Sequence, residues 1–182
     1  MTDEAQPPSG GEPILIVDDE KNIRRTLRMV LEGEGQVVHE AGSIAEAEGV
    51  LQREAVDVIL LDVKLGEDNG LDLLRALKSR GEDGMSSRTS EIPVVMISGH
   101  ATIEDAVAAT RLGAFDFMEK PLDRNRVMVT VRNALERRRM WREVHDLRPI
   151  YVGFGIVFLA GVFWWNRRRR ERFEREETPD DR

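Results

Sequence analysis

Short apolar runs that alternate with longer amphipathic stretches constrain the fold of this sequence most strongly. Five such runs are rich in β-branched, aliphatic or aromatic residues, as strands typically are; they lie at 14–17, 37–38, 56–61, 94–97 and 115–118. The third run is apolar at every position from Val58 to Leu61, so both faces of that strand are predicted to be buried. The pattern therefore predicts an α/β fold, a doubly wound parallel sheet covered by helices on both faces.

The stretches between and after these runs have helical spacing. We predict helices at 21–32, after a capping box formed by Ser43 and Glu46, at 70–79, at 102–112 and from 123 to 147. The last of these contains neither Gly nor Pro. Its second half is rich in Arg and is predicted to be an exposed helical extension, with a dimerising or DNA-contacting role left open.

Composition divides the chain into five parts. With 182 residues, of which 41% are hydrophobic, it has enough apolar material for one ordinary domain. The predicted parts are a disordered leader (1–12), a folded domain (13–135), an Arg-rich helical linker (136–148), a hydrophobic segment (149–166) and a charged tail (167–182). The leader lacks a basic and an apolar region, so no secretory signal is predicted there.

Polar residues follow the predicted strands at the points where those strands end. They are Asp18, Asp19, Asp62, Ser98 and Lys120. Because the carboxyl ends of parallel strands meet at one edge of a sheet, these side chains are expected to form one pocket. Three carboxylates, a hydroxyl and an ammonium suit a divalent cation together with a phosphoryl group.

Each of these groups has a role in phosphoryl transfer. A free Asp is already ionised at neutral pH, so Asp62 can act as an oxygen nucleophile without a general base. Asp18 and Asp19 favour Mg²⁺, which prefers oxygen ligands. Lys120 and Ser98 would contact the incoming phosphoryl oxygens. Thiol chemistry and disulfides are excluded because the chain has no Cys, and its three isolated His residues show no zinc-binding spacing.

In this order, the motifs resemble the receiver domain of two-component response regulators over about residues 13–135. The matching pieces are ILIVDD (14–19), LLD (60–62), GLDLL (70–74), ISGH (97–100) and GAFDFMEKP (113–121). The sequence of these motifs is most similar to receivers of nitrogen-regulator-type transcriptional activators. Neither the phosphate-binding motif of their ATPase module nor a helix-turn-helix is found in this sequence.

The resemblance implies a fold, a phosphoacceptor and a metal site. The fold would be flavodoxin-like, with strand order 2-1-3-4-5. Asp62 would accept the phosphoryl group, and Mg²⁺ would be held by Asp19, Asp62 and the backbone carbonyl of Lys64, with Asp18 acting through water. Such a domain is a signalling switch that catalyses only its own phosphorylation and dephosphorylation.

The same resemblance implies a switch and partners. Ser98 and Phe117 occupy the switch positions, and the bond before Pro121 would be cis, although a trans Pro at the start of a helix is the general default. The partners would be a histidine kinase and, through the face of the fourth helix, fifth strand and fifth helix, a second copy of the chain. A dehalogenase-like phosphatase is the enzyme alternative, but it requires an acid where Lys64 stands.

The hydrophobic segment has no counterpart in the receiver pattern. Residues 150–165 contain no charge and are followed by Asn166 and four Arg residues. A helix of this length is near the lower limit for a membrane span, and Trp164, Trp165 and Tyr151 would suit the interfaces. The segment is thus a candidate anchor to the inner membrane for a cytoplasmic receiver, with a packed helix or an aberrant coding end as alternatives. A non-catalytic tethered adaptor or a truncated regulator that keeps the fold is the alternative function.

Overall fold

The computed structural model describes residues 10–79, 89–99 and 102–146. Within them, one parallel sheet is formed by β1 (Pro13–Val17), β2 (Val37–Ala41), β3 (Val58–Asp62), β4 (Val94–Ser98) and β5 (Asp116–Glu119). The strand order is β2-β1-β3-β4-β5, and each neighbouring pair is parallel. The flavodoxin-like order expected from the resemblance is confirmed.

Helices connect the strands and follow the last one. They are α1 (Lys21–Glu32), α2 (Ile44–Arg53), α3 (Gly70–Ser79), α4 (Ile103–Arg111) and α5 (Arg124–Asp146). The predicted cap of α2 is present, because the Ser43 side chain accepts a hydrogen bond from the Glu46 N–H at 3.2 Å. Thr102 caps α4 in the same way, accepting from the Asp105 N–H at 3.0 Å. Side-chain caps therefore fix where two of the helices begin.

The two faces of the sheet bury alternate residues of each strand. Ile14 and Ile16 pack in a cluster with α1 and α5, whereas Leu15 and Val17 pack in a second cluster with α2, α3 and α4. Successive side chains of a strand point to opposite faces. Covering both faces with helices thus explains why the strands are apolar at nearly every position.

The loop between β3 and α3 contains a small hairpin that the sequence did not predict. Two-residue strands, Lys64–Leu65 and Asp68–Asn69, pair antiparallel, and Gly66 between them has φ +63°, a conformation that favours glycine. Asn69 Oδ1 accepts the Leu71 N–H at 2.9 Å at the start of α3. This loop is therefore held at both its turn and its exit into the helix.

The prediction that the second half of the last helix is exposed is wrong at Arg138. Its side chain is buried, and its Nε lies 3.7 Å from Oδ1 of Asp57, which is also buried. Arg138 continues the stripe that Val127, Val131 and Ala134 begin, at spacings of four and three residues along one helix face. An Arg can lie on this buried stripe because the Asp57 carboxylate, just before β3, is buried beside it and offsets its charge.

Glu12, the residue before the first strand, contacts two parts of the folded domain. The Glu12 N–H donates to Gln36 Oε1 at 2.9 Å, and the Glu12 carboxylate accepts two hydrogen bonds from Arg139, at 2.6 and 2.8 Å.

By internal contacts the chain divides into two units, Met1–Met140 and Trp141–Arg182. The sheet belongs to the first unit, and the second contributes the end of α5 to the described residues.

No helix in the described ranges is both long and apolar enough to cross a membrane. The hydrophobic segment 149–166 and the charged tail 167–182, like residues 1–9 of the leader, lie outside those ranges. The predicted membrane anchor falls on that segment, outside the residues that the structure describes, and it stays a prediction.

Candidate functional site

The carboxyl edge of the sheet brings together residues from three separate strand ends. Asp18 follows β1, Asp62 is the last residue of β3, and Lys120 follows β5. The order β2-β1-β3-β4-β5 places β3 directly beside β1, and β4 lies between β3 and β5. Asp18 and Lys120, 102 positions apart in sequence, consequently meet at one edge of the sheet.

Lys120 lies at the centre of this group. Its Nζ donates to Asp62 Oδ2 at 2.6 Å and to Glu20 Oε1 at 3.0 Å, and it lies 2.9 Å from Asp18 Oδ2. Burial alone would lower the pKa of Lys120, but the bonds to Asp62, Asp18 and Glu20 outweigh it and raise that pKa above its ordinary value. The ammonium is therefore charged throughout the physiological pH range.

Asp18 is almost completely buried beside Lys120. Its Oδ1 accepts the Glu20 N–H at 2.8 Å. Burial raises the pKa of Asp18, with a contribution from the charge of Asp62, while the bonds from Lys120 and from the Glu20 backbone oppose the rise. Removing a cation from this position would leave a buried carboxylate without a counter-charge, which is costly.

Asp62 is 4% exposed, and its position is fixed by the backbone around it. Its Oδ1 lies 3.3 Å from the Lys64 N–H, which donates to it, and the next residue, Val63, donates its N–H to Ile97 O at 2.8 Å. Gly70 at the start of α3 lies against the Asp62 carbonyl so closely that a Cβ would overlap the oxygen. The strand end is thus held from both β4 and α3, which fixes the position of the Asp62 side chain.

Not every predicted metal ligand lies in the cluster. Among the described residues, the carboxylate oxygens that lie within 4.8 Å of one another belong to Asp18, Glu20 and Asp62. Asp19 is exposed, and its Oδ2 accepts the Gly66 N–H at 3.2 Å. The structure places Lys64 two residues beyond Asp62, with its amide N–H toward Asp62 Oδ1; the role of its carbonyl stays a prediction.

Glu20 is the site residue that sequence reasoning missed. It comes directly after the Asp pair and occupies the N-cap of α1, yet its side chain makes no cap hydrogen bond. Ser, Thr, Asp and Asn are the usual residues at that position. A Glu at an N-cap beside two strand-end acids was the signal that could have drawn attention to it.

Ser98 and Phe117 lie on neighbouring strands, with Phe117 two register positions before the residue opposite Ser98. Ser98 is buried at the end of β4, and its carbonyl accepts the Lys120 N–H at 2.8 Å. Phe117 is half-buried in β5, opposite Met96, and packs against the core cluster that includes Ala109 of α4. The Lys120–Pro121 peptide bond is cis, the isomer that the resemblance implies.

The donor chemistry of the site fits Mg²⁺. Two nearly buried carboxylates and one exposed carboxylate offer oxygens close enough to share one ion, and hard cations such as Mg²⁺ prefer such ligands. Asp19 lies outside this group of three, and its carboxylate contacts the β3–α3 loop through the Gly66 N–H.

Comparison with known proteins gives a consistent result. Residues 14–132 match the family model for the response regulator receiver domain. The nitrogen assimilation regulatory protein NtrX of Azorhizobium caulinodans is 41% identical over 154 residues, which cover 82% of this chain and 32% of that protein. The alginate biosynthesis transcriptional regulatory protein AlgB of Pseudomonas putida is 39% identical over 127 residues, covering 70% of this chain and 27% of that protein.

A solved structure extends the similarity to three dimensions. The receiver domain of NtrX from Brucella abortus is similar with a TM-score of 0.60 and 38% identity, over 68% of this chain and 98% of that one. The chain spans less than a third of the length of the NtrX and AlgB relatives named above. The similarity therefore concerns their receiver part.

Proposed function

Because this chain belongs to the response regulator receiver domain family, we propose that it is a signalling switch that accepts a phosphoryl group on Asp62 from a histidine kinase or a small phosphodonor. One observation carries the proposal. Asp62 is a nearly buried carboxylate whose Oδ2 lies 2.6 Å from the Lys120 ammonium, in a cluster with Asp18 and Glu20. Such an arrangement of acids around one cation suits phosphoryl transfer to and from a carboxylate.

The chemistry follows from the charges of the site. An oxygen of the Asp62 carboxylate forms a bond to phosphorus, the bond from phosphorus to the donor atom breaks, and the donor leaves with the electron pair. No base is required, because the carboxylate is already an anion. Lys120 offsets the charge of the phosphoryl oxygens, and the Ser98 hydroxyl donates a hydrogen bond to one of them.

Mg²⁺ is the cofactor of this proposal. When bound, it neutralises carboxylate charge and polarises the phosphoryl oxygens. Asp62 and Asp19 would hold it together with the Lys64 carbonyl, and Asp18 would act through water. The cluster of carboxylate oxygens supports an ion at this edge of the sheet.

The response to phosphorylation would be a shift between two packings of the α4–β5–α5 face. Ser98 would be drawn toward the phosphoryl group, and Phe117 would turn into the space that it leaves. One observation supports this face as a contact surface for a second copy. Ile103 and Val107 of α4 and Val129 of α5 are apolar side chains exposed to solvent, and exposed apolar groups favour association.

The phosphoacceptor can be tested by weighing the intact protein after incubation with acetyl phosphate and Mg²⁺. The wild-type chain should gain one phosphoryl group, and Asp62→Asn should gain none. Asp68→Asn, in the exposed part of the same loop, is the matched control and should react as the wild type does. An unmodified wild type at saturating donor would instead favour a non-catalytic adaptor, and steady release of phosphate from many esters would favour a phosphatase.

A membrane tether is a separate hypothesis that rests on the sequence alone. The uncharged residues 150–165 between Arg-rich flanks favour it. Carbonate extraction of membranes should leave the full chain in the pellet and release a truncation that ends at residue 148. Release of both chains would refute the tether without affecting the receiver role.

A further inference from the structure

Glu20 uses its side chain in an unusual way for a residue at the start of a helix. It is the N-cap of α1, with φ −77° and ψ 103°, and its side chain leaves the first turn uncapped. Its Oε1 instead accepts a hydrogen bond from Lys120 Nζ, which is a hundred residues further along the chain, at 3.0 Å. A residue that departs from the local preference for a capping side chain, as Glu20 does here, is often at a functional position.

Lys120 is shared by three carboxylates that differ in exposure. An ammonium has three N–H donors, and Asp18, Glu20 and Asp62 each place an oxygen 3.0 Å or less from Nζ. The side chains of Asp18 and Asp62 are 2% and 6% exposed, whereas that of Glu20 is 60% exposed. Glu20 is therefore the carboxylate that can lose its hydrogen bond to Lys120 and bind water instead with the smallest loss of free energy.

We propose that Glu20 is a positioning residue that competes with the incoming phosphoryl group for Lys120, and that it also raises the affinity of the site for Mg²⁺. The inference rests on the proposed function of Asp62. Glu20 holds the ammonium at the rim of the pocket in the resting state, and it must release the ammonium when the phosphoryl oxygens arrive. The covalent step is unchanged, because Glu20 takes part in no bond that forms or breaks.

Two opposite effects follow for Glu20→Gln, which keeps the shape of the side chain and removes its charge. Mg²⁺ binding should weaken by roughly three- to tenfold, because one negative charge is lost close to the ion and Lys120 is left to pair with Asp18 and Asp62 alone. At saturating Mg²⁺, phosphorylation by acetyl phosphate should become about threefold faster, because Lys120 is free for the phosphoryl oxygens and less negative charge faces the anionic donor.

The test measures both quantities on the full chain. Isothermal titration calorimetry gives the Mg²⁺ dissociation constant without any phosphodonor, and a time course of intact mass gives the phosphorylation rate. Glu34→Gln is the matched control, since Glu34 is an exposed carboxylate that pairs with Arg124 Nη2 at 2.7 Å beyond the other end of α1. It should leave both quantities unchanged.

The outcomes separate this inference from the proposed function. Weaker Mg²⁺ binding together with faster phosphorylation in Glu20→Gln supports the competition. Values equal to those of Glu34→Gln, or a loss of both Mg²⁺ binding and phosphorylation rate, overturn it. A wild type that never gains a phosphoryl group overturns the proposed function itself, whereas a wild type that reacts at the same rate as Glu20→Gln overturns only the role of Glu20.

Discussion

Replacing Arg138 with Met should destabilise the folded chain by about 2–4 kcal/mol, because it removes the cation beside the buried Asp57 carboxylate. The two charged atoms lie 3.7 Å apart, and both side chains are less than a tenth exposed. At that distance, opposite unit charges attract by about 4 kcal/mol at an effective dielectric constant near 20. Met keeps most of the length of Arg, so the loss is mainly electrostatic, and movement of Asp57 toward water recovers part of it.

Urea unfolding of the full chain, followed by circular dichroism at neutral pH, measures this change. Arg132→Met is the control, since Arg132 is an exposed cation on the same helix, and it should change the free energy of unfolding by about 0.5 kcal/mol or less. The double variant Asp57→Val with Arg138→Met should recover most of the loss, because it removes both buried charges. If Arg138→Met costs no more than Arg132→Met, the reasoning is refuted, and α5 beyond residue 135 is the exposed linker that the sequence predicted.

Other parts of the structure give sharp expectations. Gly70→Ala should destabilise the chain by about 1–3 kcal/mol, because the added Cβ would overlap the Asp62 carbonyl oxygen. In the same urea assay, Gly49→Ala should stabilise the chain by about 0.5–1 kcal/mol, because its Cβ would meet only the flexible end of the Arg53 side chain. Burial lowers the pKa of Lys78 from 10.5 to about 8. Between pH 8 and 10.5 the unfolded chain therefore binds a proton at Lys78 that the folded chain has released, so the free energy of unfolding should rise with pH across this range. Lys78→Met should flatten that rise. Equal slopes in the two proteins would contradict the burial of that amine. Mg²⁺ at about ten times its dissociation constant should raise the free energy of unfolding by about 1.4 kcal/mol, and Asp18→Asn should lose most of this gain; an equal gain would place the ion elsewhere.

The fold and the centre of the site were accessible from sequence because they depend on strong, regular patterns. Apolar strands between amphipathic helices leave few arrangements, and the carboxyl ends of parallel strands must share an edge. Asp18, Asp62 and Lys120 therefore meet as predicted, with Nζ 2.6 Å from Asp62. The strand order itself came from the resemblance, since periodicity alone allows more than one doubly wound order.

The residues that sequence reasoning misjudged depend on single contacts across long separations. Sequence reasoning gave Glu20 no role, and only the position of Lys120 shows what its side chain contacts. Arg138 looked like one exposed Arg among several, although its spacing from Ala134 placed it on the buried stripe and Asp57 gave it a partner. The hairpin around Gly66 was missed because two-residue strands carry no periodicity.

Reduction with borohydride followed by tandem mass spectrometry tests the central claim most directly. An aspartyl phosphate is an acyl phosphate, and borohydride converts it to homoserine at the residue that carried the phosphoryl group. After incubation with acetyl phosphate and Mg²⁺, homoserine should appear at position 62 and at no other acid of the cluster. Homoserine at position 18 or 19, or the reduced product of a glutamyl phosphate, hydroxynorvaline, at position 20, with residue 62 unmodified, would contradict the account.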